Sequence, residues 1–402
     1  MRSLLPAALM LASLLAGSPC RAQSPAALPV PSPRVPSLPM PSLPMPSPPA
    51  AAAEPVAPDK AGPLDDGPYL RRSGDGVDAE WICAGKIERA HFAAHRGQTT
   101  VPARCGYPHA VTVPLRPGAA SREDRPAPSR IAALSDIHGQ YGLLRRLLQA
   151  NGIIDAQDRW SYADGLLVIG GDVFDRGPQV TEAFWLLQQL QAQARAAGGD
   201  VLFVLGNHET MTLYDDLRYL NLKYAQVASL LGRAYPALYD SGSVLGQWLR
   251  QAPAMARVGD TLFLHGGVSP EFLAAGIDRP TANARYRASL GTPKATVKAD
   301  PALAPLYDGK TSPIWYRGYF DGRASEADVE AVLRELGVRR IIVGHTSMAH
   351  VGSYYDGRVI AIDSSIKNGE SGEILLLEDG RASRGLLDGS RAPLLPGEGS
   401  TD

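Results

Sequence analysis

The chain has 402 residues, 45% of them hydrophobic, enough to bury a sizeable core. Its 40 basic and 41 acidic residues nearly cancel, and neither a basic excess nor a basic stripe marks a nucleic-acid binder.

The N-terminus reads as a targeting signal. Arg2 supplies the positive region, residues 4–16 the apolar stretch, and Cys20-Arg21-Ala22 a small-residue cleavage site before Gln23. Residues 1–22 are therefore expected to be a signal peptide, and the mature protein to be exported, periplasmic or secreted. The apolar stretch is too short to span a bilayer, and no later run reaches the length of a transmembrane segment. A lipid anchor on Cys20 is the weaker reading, because Pro19 precedes it and Leu15-Ala16-Gly17 lies out of register with it.

Residues 23–65 are dominated by Pro, Ala and Ser, with Pro-Ser-Leu-Pro-Met repeated at 36–40 and 41–45. Such a stretch cannot build a core and is expected to be a disordered, polyproline-rich linker rising roughly 3 Å per residue. Residues 66–128 mix short β-like runs with Gly and Pro, and predict a small β-rich flap packed on the main domain. Cys83 and Cys105 lie there. An even pair in an oxidising compartment favours a disulfide. A structural zinc held with His91 and His95, which have helical i, i+4 spacing, is the alternative.

The main domain is expected at 129–387, with strands alternating with helices. Leu143, Leu144, Leu147 and Leu148 mark one helical face, closed by Asn151-Gly152. A second helix is predicted at 181–197, stopped by Gly198-Gly199, and Ser325-x-x-Asp328 opens a third as a capping box. Strands at 359–362 and 374–377 have no helix between them, which favours a mixed sheet or two-sheet sandwich over a fully parallel one. The Gly, Ser, Pro and acidic residues of 388–402 predict a disordered tail.

Five apolar runs in this domain each lead into side chains that bind divalent metals: Asp136 and His138, then Asp172, Asn207, His265 and His345. Together they form the donor set of a two-metal hydrolytic centre, since ligands gather beyond the carboxyl ends of strands in α/β sheets. Asp136 and His138 stand at i and i+2, on one side of an extended chain. In Gly171-Asp172-Val173-Phe174-Asp175-Arg176-Gly177, a carboxylate at a buried strand end would be costly without cations to justify it. Arg176 offers a bidentate grip on phosphoryl oxygens. Of the eight histidines, His138, His208, His265 and His345 fall in these motifs, and His350 is read as a surface residue.

The ordered series SDIHG, GDVFDRG, GNHE, HGG, RG and GHT resembles the PPP branch of the calcineurin-like metallophosphoesterases. The segments 206–220 and 313–319 look most like the Shewanella-like protein phosphatases. The resemblance covers roughly residues 66–377 and implies an α/β fold, a β-sandwich flanked by helices. It implies Asp136, His138 and Asp172 as ligands of one metal, and Asp172, Asn207, His265 and His345 as ligands of a second. Arg176 and Arg317 would clamp phosphate, with Asn207 and His208 also at the substrate, and His208 would be the general acid oriented by Asp175. Ser135 stands where the family usually has Gly, and is harmless unless the backbone there needs positive φ. The Ala/Pro/Lys-rich stretch 280–311 is expected to form a variable loop over the cleft.

The expected activity is phosphomonoester hydrolysis by direct attack of a hydroxide bridging two divalent ions, Mn first, with Fe or Zn as alternatives. The resemblance implies a phosphorylated protein substrate, phosphotyrosine ahead of phosphoserine or phosphothreonine. Some of Tyr214, Tyr219, Trp315, Tyr316 and Tyr319 would line the cleft. A phosphate-scavenging enzyme acting on small monoesters and a dinucleoside polyphosphate hydrolase are the rivals within the chemistry. A non-catalytic envelope binding protein with structural metals is the rival outside it. Oligomeric state is not legible.

Overall fold

The structure is a computed structural model that describes residues 63–397. The expected signal peptide, the Pro-rich stretch up to residue 62 and residues 398–402 lie outside the described residues.

The described chain opens with an antiparallel sheet of β1 (Asp66–Ser73), β2 (Gly76–Cys83) and β3 (Lys86–Ala93). Alternation in β2 buries Val77, Ala79 and Trp81, which join the same core as Trp185 and Tyr239 further along the chain. β4 (Gln98–Val101) and β5 (Val111–Pro114) pair as a ribbon. Cys83, ending β2, is disulfide-bonded to Cys105 in the loop between β4 and β5. That bond consumes both thiolates a zinc site would need. His91 lies on strand β3 rather than on a helix, with its ring 2.7 Å from Asp78.

The rest of the chain contributes β6 (Asp124–Arg125), β7 (Arg130–Leu134), β8 (Leu166–Ile169), β9 (Asp200–Phe203), β10 (Met255–Val258), β11 (Thr261–Leu264) and β12 (Arg340–Val343). β13 (Gly352–Tyr354), β14 (Val359–Ala361), β15 (Ile374–Glu378), β16 (Arg381–Gly385), β17 (Arg391–Pro393) and β18 (Leu395–Pro396) complete it. They form two mixed sheets, ordered β17-β16-β15-β7-β8-β9 and β18-β13-β14-β12-β11-β10-β6. β7, β8 and β9 run parallel in one, and β11, β12 and β14 run parallel in the other.

The strands read as unbroken apolar runs because both faces are buried. Ile131, Ala133, Leu166, Val168 and Leu202 meet Phe263, Ile342 and Ile360 of the second sheet in one cluster. Their neighbours Ala132, Leu134, Leu167, Ile169 and Phe203 turn the other way, into the core shared with the flanking helices. Those helices include Tyr141–Ala150, which buries Leu143, Leu144, Leu147 and Leu148, and Val180–Ala196. Glu326–Leu336 starts on the expected Ser325/Asp328 capping box. The fold is thus an α/β sandwich flanked by helices. Among the described residues no helix is long and apolar enough to cross a membrane.

Two stretches differ from expectation. The region 280–311 is mostly helical, at Arg279–Ser289, Lys294–Ala299 and Ala304–Tyr307, and buries Tyr286, Val297 and Leu306. Its apolar anchors are too sparse to show a helical period, but the Asp278 side chain caps the first helix by accepting from the Thr281 N–H. Residues 391–396 do not fray: β17 pairs with β16 and β18 with β13. β17 closes a short hairpin on the preceding strand, whereas β18 takes its hydrogen bonds from β13, at residues 352–353, which local composition does not encode.

Candidate active site

Each expected ligand follows the carboxyl end of a strand: Asp136 and His138 after β7, Asp172 after β8, Asn207 after β9, His265 after β11 and His345 after β12. The chain turns there through unusual backbone. Asp136, His138, Asp172, Asp175, Arg176 and His345 all have φ between 46° and 71°, a left-handed conformation that non-glycine residues enter at a cost. Interlocking bonds hold these turns: the Asp136 N–H donates to Gly171 O, the His138 N–H to Asp172 O and the Gly177 N–H to His138 O. Close approach requires glycine at Gly206, where a Cβ would stand 2.1 Å from Asp172 Oδ1.

The side chains converge on one atom. Asp172 Oδ1 accepts the His208 N–H at 2.9 Å, leaving Oδ2 at 3.1 Å from His265 Nε2, 3.7 Å from His138 Nε2 and 3.8 Å from His208 Nε2. The ligating atoms of His138, Asp172 and His208 lie within 4.8 Å of one another, as do those of Asp172, His265 and His345. Asp172 is therefore common to two groups of donors. His138 Nδ1 is committed to Phe174 O and His265 Nδ1 to Gly170 O, so both rings direct Nε2 inward. Asn207 Oδ1 lies 2.9 Å from His265 Nε2. Asp136 Oδ2 accepts from Ser135 Oγ and from the His345 N–H, with Oδ1 3.8 Å from His138 Nε2. Ser135 has no positive φ, and its hydroxyl donates to the Asp136 carboxylate beside it.

Burial and charge set the electrostatics. Burial works against ionisation of Asp172, but the imidazoles of His265, His208 and His138 outweigh it and hold its carboxyl well below the ordinary range. Burial also opposes the charge on His265, yet Asp172 and Asp136 raise its pKa to about 9. Asp136 is pushed up to about 6, chiefly by burial, with Asp172 adding to it. Burial, then neighbouring positive groups, pushes His138 and His345 well below the usual imidazole value. Imidazoles, two carboxylates and an amide oxygen are the donor chemistry a pair of divalent cations demands, and the residues present fit them, with His265 giving up its proton when a cation takes the place of its charge.

Around this centre lie the other expected residues. His208 Nδ1 is 2.5 Å from Asp175 Oδ2, and Asp175 is fully buried. Arg176 is exposed, its guanidinium carbon 5.1 Å from the centre of the Tyr219 ring. Arg317 Nη1 donates to His345 O at 2.6 Å, which fixes it beside that residue. Of the expected aromatics, Tyr316 and Tyr319 are buried, and Tyr214 packs on Tyr307. Trp315 stands edge-on to His345, while Tyr219 is exposed. His350 stays out of the site, with its ring 2.8 Å from Glu373.

The motifs did not reveal the task of Glu209. It is fully buried: Oε2 accepts the N–H groups of Asp172 and Gly206, and Oε1 that of Val173. By accepting the Gly206 N–H it also caps the start of the helix Asn207–Leu213 from its third position, the one signal sequence offers for it. Asp363, just beyond β14, is buried too and takes the Ser347 hydroxyl at 2.6 Å.

The family model for calcineurin-like phosphoesterases matches residues 129–348, and the chain belongs to that family. It is 28% identical over 290 residues to Shewanella-like protein phosphatase 2 of Arabidopsis thaliana, covering 60% of this chain and 72% of that one. Among solved structures, a cold-active protein-tyrosine phosphatase of a psychrophilic Shewanella species is 39% identical. Its TM-score is 0.76, and the match covers 81% of this chain and 98% of that one. A symmetrical bis(5'-nucleosyl)-tetraphosphatase of Methylococcus capsulatus is 31% identical over 144 residues, which is 36% of this chain and 45% of that enzyme. The chain is a metal-dependent phosphatase.

Proposed function

We propose that this enzyme is an exported protein phosphatase that prefers phosphotyrosine and hydrolyses it in one step at a two-metal centre. The observation that carries the reading is Asp172 Oδ2, one carboxylate oxygen shared by donor groups on either side. Likeness to a protein-tyrosine phosphatase across most of both chains supports the tyrosine preference, and the shorter likeness to a dinucleotide hydrolase makes that activity the lesser reading. Export rests on residues 1–22 alone.

Asp136, His138 and Asp172 would hold one divalent cation, and Asp172, Asn207, His265 and His345 a second, with Mn the first choice. When bound, such a pair supplies Lewis acidity to the phosphoryl oxygens and lowers the pKa of the attacking water. Arg176 and Arg317 bind and orient the phosphoryl group and offset the charge it gathers in the transition state. His208, held through Nδ1 by Asp175, delivers a proton from Nε2 to the departing oxygen. The bond from phosphorus to that oxygen breaks as the bond from water forms, so no phosphoenzyme is needed.

The test is hydrolysis by mature protein, metal-stripped and refilled with Mn²⁺. The panel would hold p-nitrophenyl phosphate, phosphotyrosine and phosphoserine peptides, and a dinucleoside tetraphosphate. The reading expects metal-dependent release that is fastest from phosphotyrosine. Preference for the dinucleotide, or equal rates on both peptides, would replace it.

A further inference from the structure

We infer that Tyr219 is the wall against which the aryl leaving group packs, and so the residue that separates phosphotyrosine from phosphoserine; this rests on the phosphatase reading above. Tyr219 is a large side chain 41% exposed, unlike buried Tyr316 and Tyr319. Its ring centroid lies 5.2 Å from that of His208, tilted by 44°. The guanidinium carbon of Arg176 stands 5.1 Å from its centre and that of Arg218 5.8 Å. The exposed ring thus borders both the proton donor and one phosphate clamp.

Chemistry sets which part of a substrate it would meet. The oxygen protonated by His208 is the one bonded to the leaving group, so the leaving group extends on the His208 side of the phosphoryl. For phosphotyrosine the ring begins one bond beyond that oxygen, within reach of Tyr219. For phosphoserine a single methylene stands there, with no face to stack. Trp315 borders His345, to which it stands edge-on, whereas Tyr219 borders His208. The Tyr219 loop is also braced for it. The Arg176 N–H donates to Tyr219 O at 3.0 Å, and Asn221 Nδ2 donates to Arg176 O at 2.7 Å. Clamp and ring therefore hold a fixed relation.

A bland role would have Tyr219 merely support His208 or Arg176. Removing the ring would then cost every substrate, and phosphoserine most, since its alkoxide needs the proton more. An aryl wall predicts the opposite pattern. Stacking of this kind is expected to change kcat/KM about 3- to 10-fold. In Tyr219→Ala the ratio of kcat/KM for phosphotyrosine over phosphoserine peptide should fall by that factor, mainly through KM for phosphotyrosine. Tyr219→Phe should restore it. Competitive inhibition by phenylphosphonate should weaken by the same factor in Tyr219→Ala and Tyr219→Leu, while methylphosphonate stays unchanged. That pair reads binding without any proton transfer.

Equal losses on both peptides, or an unchanged phenylphosphonate constant, would overturn the assignment and leave the phosphatase reading standing. A wild type that hydrolyses neither peptide with metal restored would remove that reading and this inference with it.

Discussion

Replacing Glu209 by Gln tests whether the turns proposed to bind metal are held from behind. The two carboxylate oxygens take the N–H groups of Asp172 and Gly206 on one side and of Val173 on the other at 2.8 to 2.9 Å, with the Phe174 N–H also on the Val173 side at 3.4 Å. A carboxamide has one acceptor, so its NH₂ must face either the Asp172 and Gly206 donors or the Val173 donor. Either orientation turns the NH₂ toward two buried N–H groups, and the milder one faces Val173 and the longer Phe174 contact, each orphaned group costing about 1–3 kcal/mol. Relief of the burial that raises the pKa of the Glu209 carboxyl offsets part of this. The net cost should be about 2 kcal/mol, a drop in melting temperature of roughly 4–8 °C for a domain of this size. Because Asp172 sits on the loosened turn, Mn²⁺ affinity should fall about 10- to 100-fold, as for other groups that orient ligands. Calorimetry and Mn²⁺ titration of the metal-stripped variant measure both. A variant that melts with the wild type and binds Mn²⁺ equally well would refute the reasoning.

Burial, then the Asp66 carboxylate, pushes the Glu182 pKa up to about 7, with Lys223 opposing from 3.2 Å. The folded state therefore holds that proton more tightly, a contribution complete below about pH 4.5 and lost as pH rises through 7, at most about 3 kcal/mol. Glu182→Gln should gain on the wild type by several degrees in melting temperature between pH 5 and pH 8, and a pH-independent difference would contradict this. Cys105→Ser opens the link to Cys83, 22 residues away, and should cost about 3 kcal/mol in denaturant unfolding under oxidising conditions, against no change if the flap is stable without it. Asp175→Asn removes the carboxylate that orients His208, so kcat for a phosphoserine peptide should fall at least about 10-fold further than for p-nitrophenyl phosphate. Equal losses would deny His208 its proton-donating role.

The site was legible because metal donors are few in kind and each had to follow an apolar strand. Asp136, His138, Asp172, Asn207, His265 and His345 are therefore visible as types at strand ends. The structure groups Asp172 with His138 and His208 on one hand and with His265 and His345 on the other, with Asp136 3.8 Å from His138 and Asn207 2.9 Å from His265. Glu209 was not, because apart from Gly206 the backbone N–H groups it holds, at Asp172, Val173 and Phe174, lie 35 to 37 residues away, and a Glu three residues into a helix reads only as a cap. Tyr219 was one of five aromatics, and only exposure and ring geometry separate it from the buried ones. The helices between residues 279 and 307 escaped because Tyr286, Val297 and Leu306 are too widely spaced to show a period. The strand at 391–393 closes a short hairpin on 383–385 around Asp388-Gly389, a local signal that the compositional reading passed over, while 395–396 depends on partners at 352–353 that no local window contains.

The most direct test of the account is metal content and activity measured together on wild type and Asp172→Asn. Metal-stripped protein would be equilibrated with Mn²⁺ and freed of excess, then assayed for bound metal and for release of phosphate from a phosphotyrosine peptide. The account predicts two ions per chain and activity that rises with occupancy in the wild type. The folded variant should show weakened binding and loss of at least about 1000-fold in kcat, since removing one oxyanion-stabilising donor already costs 10²–10³. A folded Asp172→Asn protein that keeps two ions and wild-type turnover would contradict it.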